Sequence, residues 1–197
     1  NAQTLFMGLL KERAETGRIY LMNIDHCNSH SSFFEDEAKI NMSNLCQEIT
    51  LPTKPIKHID DEEGEIALCI LSAINLGLIK DKEELEELCD LSVRSLEEII
   101  DYQKYPVKAA EKSTLARRSL GIGYIGLAHY LAKNKVKYDD KEAWKLVDEI
   151  TEAFQYYLLK SSNTLAKERG ACEYFDKTKY SDGILPIDSY KKDVDDI

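Results

Sequence analysis

No apolar run in this chain approaches the roughly 20 residues that a membrane-crossing helix needs. A secretory leader is not visible either, because Gln3, Lys11, Glu12 and Arg13 interrupt the first residues. Positive charge is in short supply: 26 Lys and Arg face 36 Asp and Glu, a formal charge of −10. That balance excludes a broad nucleic-acid-binding face, which needs clustered cations. It leaves room for a nucleotide pocket, where a few donors suffice. Cysteine is sparse, odd in number and irregularly spaced (Cys27, Cys46, Cys69, Cys89, Cys172). A secreted disulfide framework is therefore excluded. The expectation is a reduced, cytoplasmic chain with one or two chemically employed thiols. Repeats, low-complexity stretches and linkers are also missing. Residues 1–197 thus read as a single segment, long enough for a sizeable core. The chain does not begin with Met, which reads as the mark of an excised piece.

What is present alternates strand with helix, the pattern of an α/β architecture. Residues 3–16 predict a helix, with Leu5, Phe6, Leu9 and Leu10 on one face and Gly17 as its stop. Residues 18–22 predict a short strand and 25–40 a polar loop. The run 64–77 suits a buried strand or a helix equally. Residues 82–103 predict an amphipathic helix with Leu85, Leu88, Cys89, Val93, Leu96, Ile99 and Ile100 inward. A strand is expected over 120–123, a helix from 124, one long helix over 141–169 and irregular chain thereafter. The acidic runs 60–63 and 82–90 predict solvated surface.

Residues 43–49 carry the chemistry: Ser43-Asn44-Leu45-Cys46-Gln47-Glu48-Ile49. In an extended finger, alternate side chains point the same way. Asn44, Cys46 and Glu48 would then line one surface as hydrogen-bonding group, sulfur and general base. Taken alone, Cys46 is more often a small buried hydrophobe and Glu48 a solvated carboxylate. Asp25-His26-Cys27 with His30 invites a metal reading, but adjacent residues diverge and zinc needs four converging ligands. Turn formation and loop anchoring are expected there instead. Gly121-Ile122-Gly123-Tyr124-Ile125-Gly126 satisfies G-x-G-x-x-G, with Asp139 and Asp140 downstream. A dinucleotide turn needs a buried apolar strand before it. Arg117-Arg118-Ser119 is poor for one. A strand turning tightly into a helix, with glycine permitting close packing, is the preferred reading.

The finger resembles that of the class I ribonucleotide reductase large (alpha, catalytic) subunit. Gly17-Arg18-Ile19-Tyr20, Asn23-Ile24-Asp25-His26-Cys27-Asn28 and Leu51-Pro52-Thr53-Lys54-Pro55 are similar to that family as well. So are Gly64-Glu65-Ile66-Ala67-Leu68-Cys69, Ala116-Arg117-Arg118-Ser119-Leu120-Gly121-Ile122-Gly123 and Gly183-Ile184-Leu185-Pro186-Ile187-Asp188. The blocks run in family order across nearly the whole chain. The resemblance implies a partial ten-stranded α/β barrel, its second half with the finger loop, and a strand within 64–77.

The resemblance also implies reduction of ribonucleoside diphosphates to deoxyribonucleotides. Cys46 would be the thiyl radical site that removes the 3′ hydrogen, and Glu48 the base toward the 3′ hydroxyl. Asn44, with Ser43 and Glu48, would bind substrate. Cys69 would be one of two cysteines that reduce the 2′ position, its partner lying upstream of Asn1. No cofactor is expected on this chain itself. The radical metal cofactor would sit in a partner small (beta) subunit, and ATP or dNTP effectors would bind N-terminal regions beyond this segment. Thioredoxin or glutaredoxin would restore the thiols. Oligomerisation and assembly with the rest of the large subunit are expected, and the isolated chain is expected to be inactive. The rival readings are a non-catalytic fragment that acts only on assembly, and a nicotinamide-cofactor oxidoreductase using the Gly121–Gly126 turn.

Overall fold

In the computed structural model, residues 1–188 are described; residues 189–197, the end of the expected irregular tail, lie outside the described residues. The chain opens with helix α1 (Ala2–Thr16). Asn1 caps its start through Thr4 N at 2.8 Å, and Gly17 ends it at φ 67°. No residue of α1 is buried: Leu5 is 67% and Phe6 54% exposed. The apolar face read from the sequence therefore stays largely uncovered among the described residues.

Residues 18–22 are not a strand, because no segment among the described residues pairs with them. The expected polar loop over 25–40 instead begins with a short helix, α2 (Ile24–Ser29). Its buried Asn28 acts as a substitute strand. The side chain accepts from Ile40 N and donates to Ile40 O, both at 2.9 Å.

The only regular sheet among the described residues is a parallel pair, β1 (Ile70–Asn75) and β2 (Leu120–Ile125), in register Ile70↔Leu120 to Asn75↔Ile125. Two strands account for part of the ten-stranded barrel that the sequence resemblance implies. Between them run α3 (Lys82–Tyr102) and α4 (Lys108–Arg117). Asp81 caps α3 through Glu84 N at 2.8 Å. Its buried stripe is Leu85, Cys89, Val93, Leu96 and Ile100, spaced three and four residues apart. Ile99 falls off the stripe and is 42% exposed.

After β2, Gly126 at φ 76° turns the chain into α5 (Leu127–Lys133), so this helix starts three residues later than expected. Then comes α6 (Lys141–Arg169), closed by Gly170. The core forms where α3 and α6 cover the sheet: Ile74, Leu76, Leu85, Cys89, Ile150 and Phe154. Each fully buried Leu or Ile of this kind contributes about 1.5–3 kcal/mol. Above that core, ion pairs lace the two helices, including Arg94–Glu168 at 2.7 Å, Lys160–Glu86 and Arg169–Glu98.

The acidic run 60–63 is not wholly solvated. Asp61 is buried and accepts from Lys57 N, Glu63 N and Gly64 N. Those donors hold its carboxyl below the usual value. No described helix is long and apolar enough to cross a membrane.

Candidate active site

The finger is a turn, not an extended strand. Gln47 N donates to Asn44 O at 3.1 Å, and Gln47 adopts φ 62°. The pleat expected from alternate positions is thus absent, and a different device brings the side chains together. The Asn44 carboxamide donates to Glu48 Oε1 at 2.7 Å, and its oxygen accepts from Ile49 N at 3.1 Å. Ser43 Oγ braces the same loop by donating to Ile49 O at 3.0 Å. Cys46 stands at the exposed tip between these residues as a free thiol.

Both legs of the finger are anchored. Asn28 fixes Ile40 on the entering leg. Lys54 and Glu65 exchange two 3.0 Å backbone bonds on the leaving leg. Asn41 Nδ2 ties the legs together through Thr53 O at 3.2 Å. Beside the finger lies an open cleft of about 340 Å³ lined by His26, Cys27, His30, Ser43, Gln47 and Thr50, among others.

Cys69 sits one residue before β1 and is half-buried. Burial first, and the Glu48 carboxylate second, push its thiol above the ordinary value. Glu48 is therefore bonded within its own finger and acts on the Cys69 thiol through its charge alone. Gly121 on β2 allows this packing. A Cβ there would stand 2.4 Å from Leu71 Cδ2 and 2.8 Å from Cys69 Sγ. Asn44 and Glu48 are thus joined on the finger that carries Cys46, with Ser43 as internal brace, while Cys69 packs by Gly121 at the start of the strand pair.

Cys27 lines the cleft beside the finger, and the remaining two thiols lie elsewhere. Cys89 is in the core, where burial and then Glu86 push it up to about 11. Cys172 is half-buried, and burial raises it as well. Among the described residues, no three His, Cys, Asp or Glu side chains converge as a metal site. The Gly121–Gly126 stretch departs from a phosphate-cradling turn. Gly121 and Gly123 pair within β2, and only Gly126 forms the turn, packed against Asn75.

Sequence reasoning passed over three residues that brace the segments carrying the site: Asn28, Glu65 and Arg117. Each lies inside a block quoted for its resemblance. For Glu65 the available signal was a carboxylate opening the apolar run Ile66-Ala67-Leu68, whereas Asn28 and Arg117 stand among other polar residues. Glu65 is 1% exposed and pairs with Arg117 and, at 3.1 Å, with Lys54. Burial by itself would raise its carboxyl, but the Lys54 and Arg117 contacts outweigh that and lower it.

A finger bearing a thiol and a carboxylate, and a cysteine at the start of a parallel strand pair flanked by helices, are features of part of an α/β barrel. The model of the family "Ribonucleotide reductase, barrel domain" matches residues 1–196. The chain is 60% identical to the ribonucleoside-diphosphate reductase subunit alpha of Buchnera aphidicola subsp. Schizaphis graminum over its whole length. It is 62% identical to that of Haemophilus influenzae, also over its whole length. It spans about a quarter of each of those relatives, 26%. The solved alpha subunit of the Actinobacillus ureae class Id ribonucleotide reductase superposes with a TM-score of 0.72 at 30% identity. That superposition covers 88% of this chain and 33% of the other. The chain belongs to the ribonucleotide reductase barrel-domain family.

Proposed function

We propose that this segment carries the radical-reduction centre of a ribonucleoside-diphosphate reductase alpha subunit. A radical delivered from a partner small subunit, which holds the metal cofactor, converts the Cys46 thiol to a thiyl. The sulfur takes the 3′ hydrogen atom of the ribose, so an S–H bond forms as a C–H bond breaks. The two bonds are close in strength, and the transfer runs back at the end of the cycle. Glu48 accepts the 3′ hydroxyl proton, and Asn44 both orients Glu48 and hydrogen-bonds substrate beside Ser43. The 2′ oxygen leaves as water. It keeps its own hydrogen and takes one proton from the pair formed by Cys69 and a second cysteine of the alpha subunit; the pair's other hydrogen goes to C2′, and the two sulfurs join as a disulfide. A dithiol protein such as thioredoxin or glutaredoxin reduces that disulfide.

The observation that carries this reading is the shared position of Glu48. It is bonded to Asn44 at 2.7 Å and close enough to Cys69 to raise that thiol. On this reading, general base and reductant act on adjacent carbons of one sugar. The five thiols stand free, which supports a reducing cytoplasmic location. Effector nucleotides bind elsewhere in the alpha subunit, and activity requires the remainder of that subunit.

The test is reconstitution. The complete alpha chain containing this segment is mixed with small subunit, dithiol protein and a ribonucleoside diphosphate. Formation of the deoxyribonucleoside diphosphate, with one disulfide per product, is expected. Binding of a nicotinamide cofactor with no dependence on the small subunit would contradict the reading.

A further inference from the structure

Three polar residues join the chain segments that carry the site, and none of them touches it. Lys54 lies six residues after Glu48, and its backbone pairs with Glu65 through two 3.0 Å bonds. Glu65 lies four residues before Cys69. Arg117, the last residue of α4, lies three residues before β2 and the Gly121 that packs on Cys69. The Glu65 side chain receives Arg117 Nη2 and also pairs with Lys54 Nζ at 3.1 Å. Both members of the Glu65–Arg117 pair are nearly inaccessible, with side-chain exposures of 0% and 6%. Further bonds weld the same stretch to α4: Ile66 N donates to Ala109 O at 3.2 Å, and Ser113 Oγ donates to Ile66 O.

We propose that Glu65, clamped between Lys54 and Arg117, is a positioning residue that sets the spacing between the Glu48 carboxylate and the Cys69 thiol. A buried ion pair is a poor stabiliser on its own account, since desolvation offsets most of the attraction. It is a directional connector, because a bidentate-capable guanidinium and a carboxylate accept few geometries. Here the connector links the leaving leg of the finger, the lead into β1 and the start of β2. Each of these carries or touches one member of the site. Exposed finger residues make few packing contacts of their own, so their separation from Cys69 depends on how their legs are tied.

That Glu48 and Cys69 act on one substrate rests on the function proposed above; that the clamp sets their spacing does not. The test keeps these apart. In the full-length alpha chain, alkylation of Cys69 is followed against pH by mass spectrometry of its peptide, with no turnover needed. Glu48→Gln removes the carboxylate that raises this thiol, so the alkylation midpoint moves to lower pH. In a Glu65→Gln background that response to Glu48→Gln is lost. In turnover assays Glu65→Gln lowers kcat by about 100-fold, the scale of a 1 Å misplacement, with KM unchanged. Where Glu65→Gln impairs folding, Arg117→Lys carries the same expectation, because it keeps the charge and loses the planar group that aims Nη2 at Glu65. An unaltered response to Glu48→Gln in both backgrounds would overturn the clamp. So would wild-type kcat in Glu65→Gln. A preserved response, together with an unsubstituted enzyme that makes no deoxyribonucleotide, would sink the proposed function as well. Loss of that response in such an inactive enzyme would leave the clamp standing and sink the function alone.

Discussion

Asn44 and Glu48 are four residues apart and joined by a 2.7 Å hydrogen bond across the tip of the finger. The bond orients a carboxylate that would otherwise swing freely in solvent. It also gives Asn44 two tasks, since its oxygen holds Ile49 N.

The two residues should therefore fail differently. Glu48→Gln keeps the shape and removes the base, so kcat should fall by about two to four decades with little change in KM. Asn44→Ala frees the turn and the carboxylate together, so both kcat and KM should suffer. Steady-state kinetics on the complete enzyme separate the cases, and an unchanged kcat in Glu48→Gln would remove the base role.

Gly121→Ala should leave the fold in place, because Leu71 is an exposed side chain that can swing aside. The Cys69 sulfur has to move too. Turnover should drop while circular dichroism stays the same; wild-type turnover would show that the position of Cys69 does not matter.

Native-state thiol labelling should be ordered, with exposed Cys46 reacting first and buried Cys89 last. Cys89 also predicts a pH effect. Its folded-state value is raised to about 11 by burial and Glu86, whereas an unfolded thiol titrates near about 8.5. Its contribution is full below the unfolded value and is lost as pH rises toward the folded one. Denaturant midpoints should fall through that alkaline window, and less so in Cys89→Ala. That variant pays about 1 kcal/mol for its cavity at all pH values. Equal alkaline slopes for the two proteins would contradict this.

The bare apolar face of α1 should drive self-association of the chain expressed on its own. Leu5→Glu with Phe6→Glu should reduce it without melting the helix. Light scattering decides, and a monodisperse monomer of the unaltered chain would count against the expectation.

Long elements were legible because their stripes are long. The bounds of α6 and the stop at Gly170 follow from pattern and capping alone. Helix α4 escaped notice because it buries Ala109, Ala110, Ser113, Thr114 and Ala116, small and polar residues that leave no apolar period. The strand expected at 18–22 failed for want of a pairing partner, which local sequence does not encode. At the site, the residue types on the finger could be read, but their geometry could not. Period two promised a pleat, and the positive φ of Gln47 replaced it with a turn. Glu65 and Arg117 are 52 positions apart, so their pairing is visible only once the chain is folded.

The central claim is that Cys46 exchanges a hydrogen atom with the sugar. Cys46→Ser changes one exposed atom at the finger tip and should leave thermal stability as it was. An O–H bond is too strong to trade hydrogen with ribose. The measurement is deoxyribonucleotide formed by the complete Cys46→Ser enzyme with its small subunit and reductant. The expected result is none above background, with substrate still bound. Sustained deoxyribonucleotide formation by that variant would contradict the account.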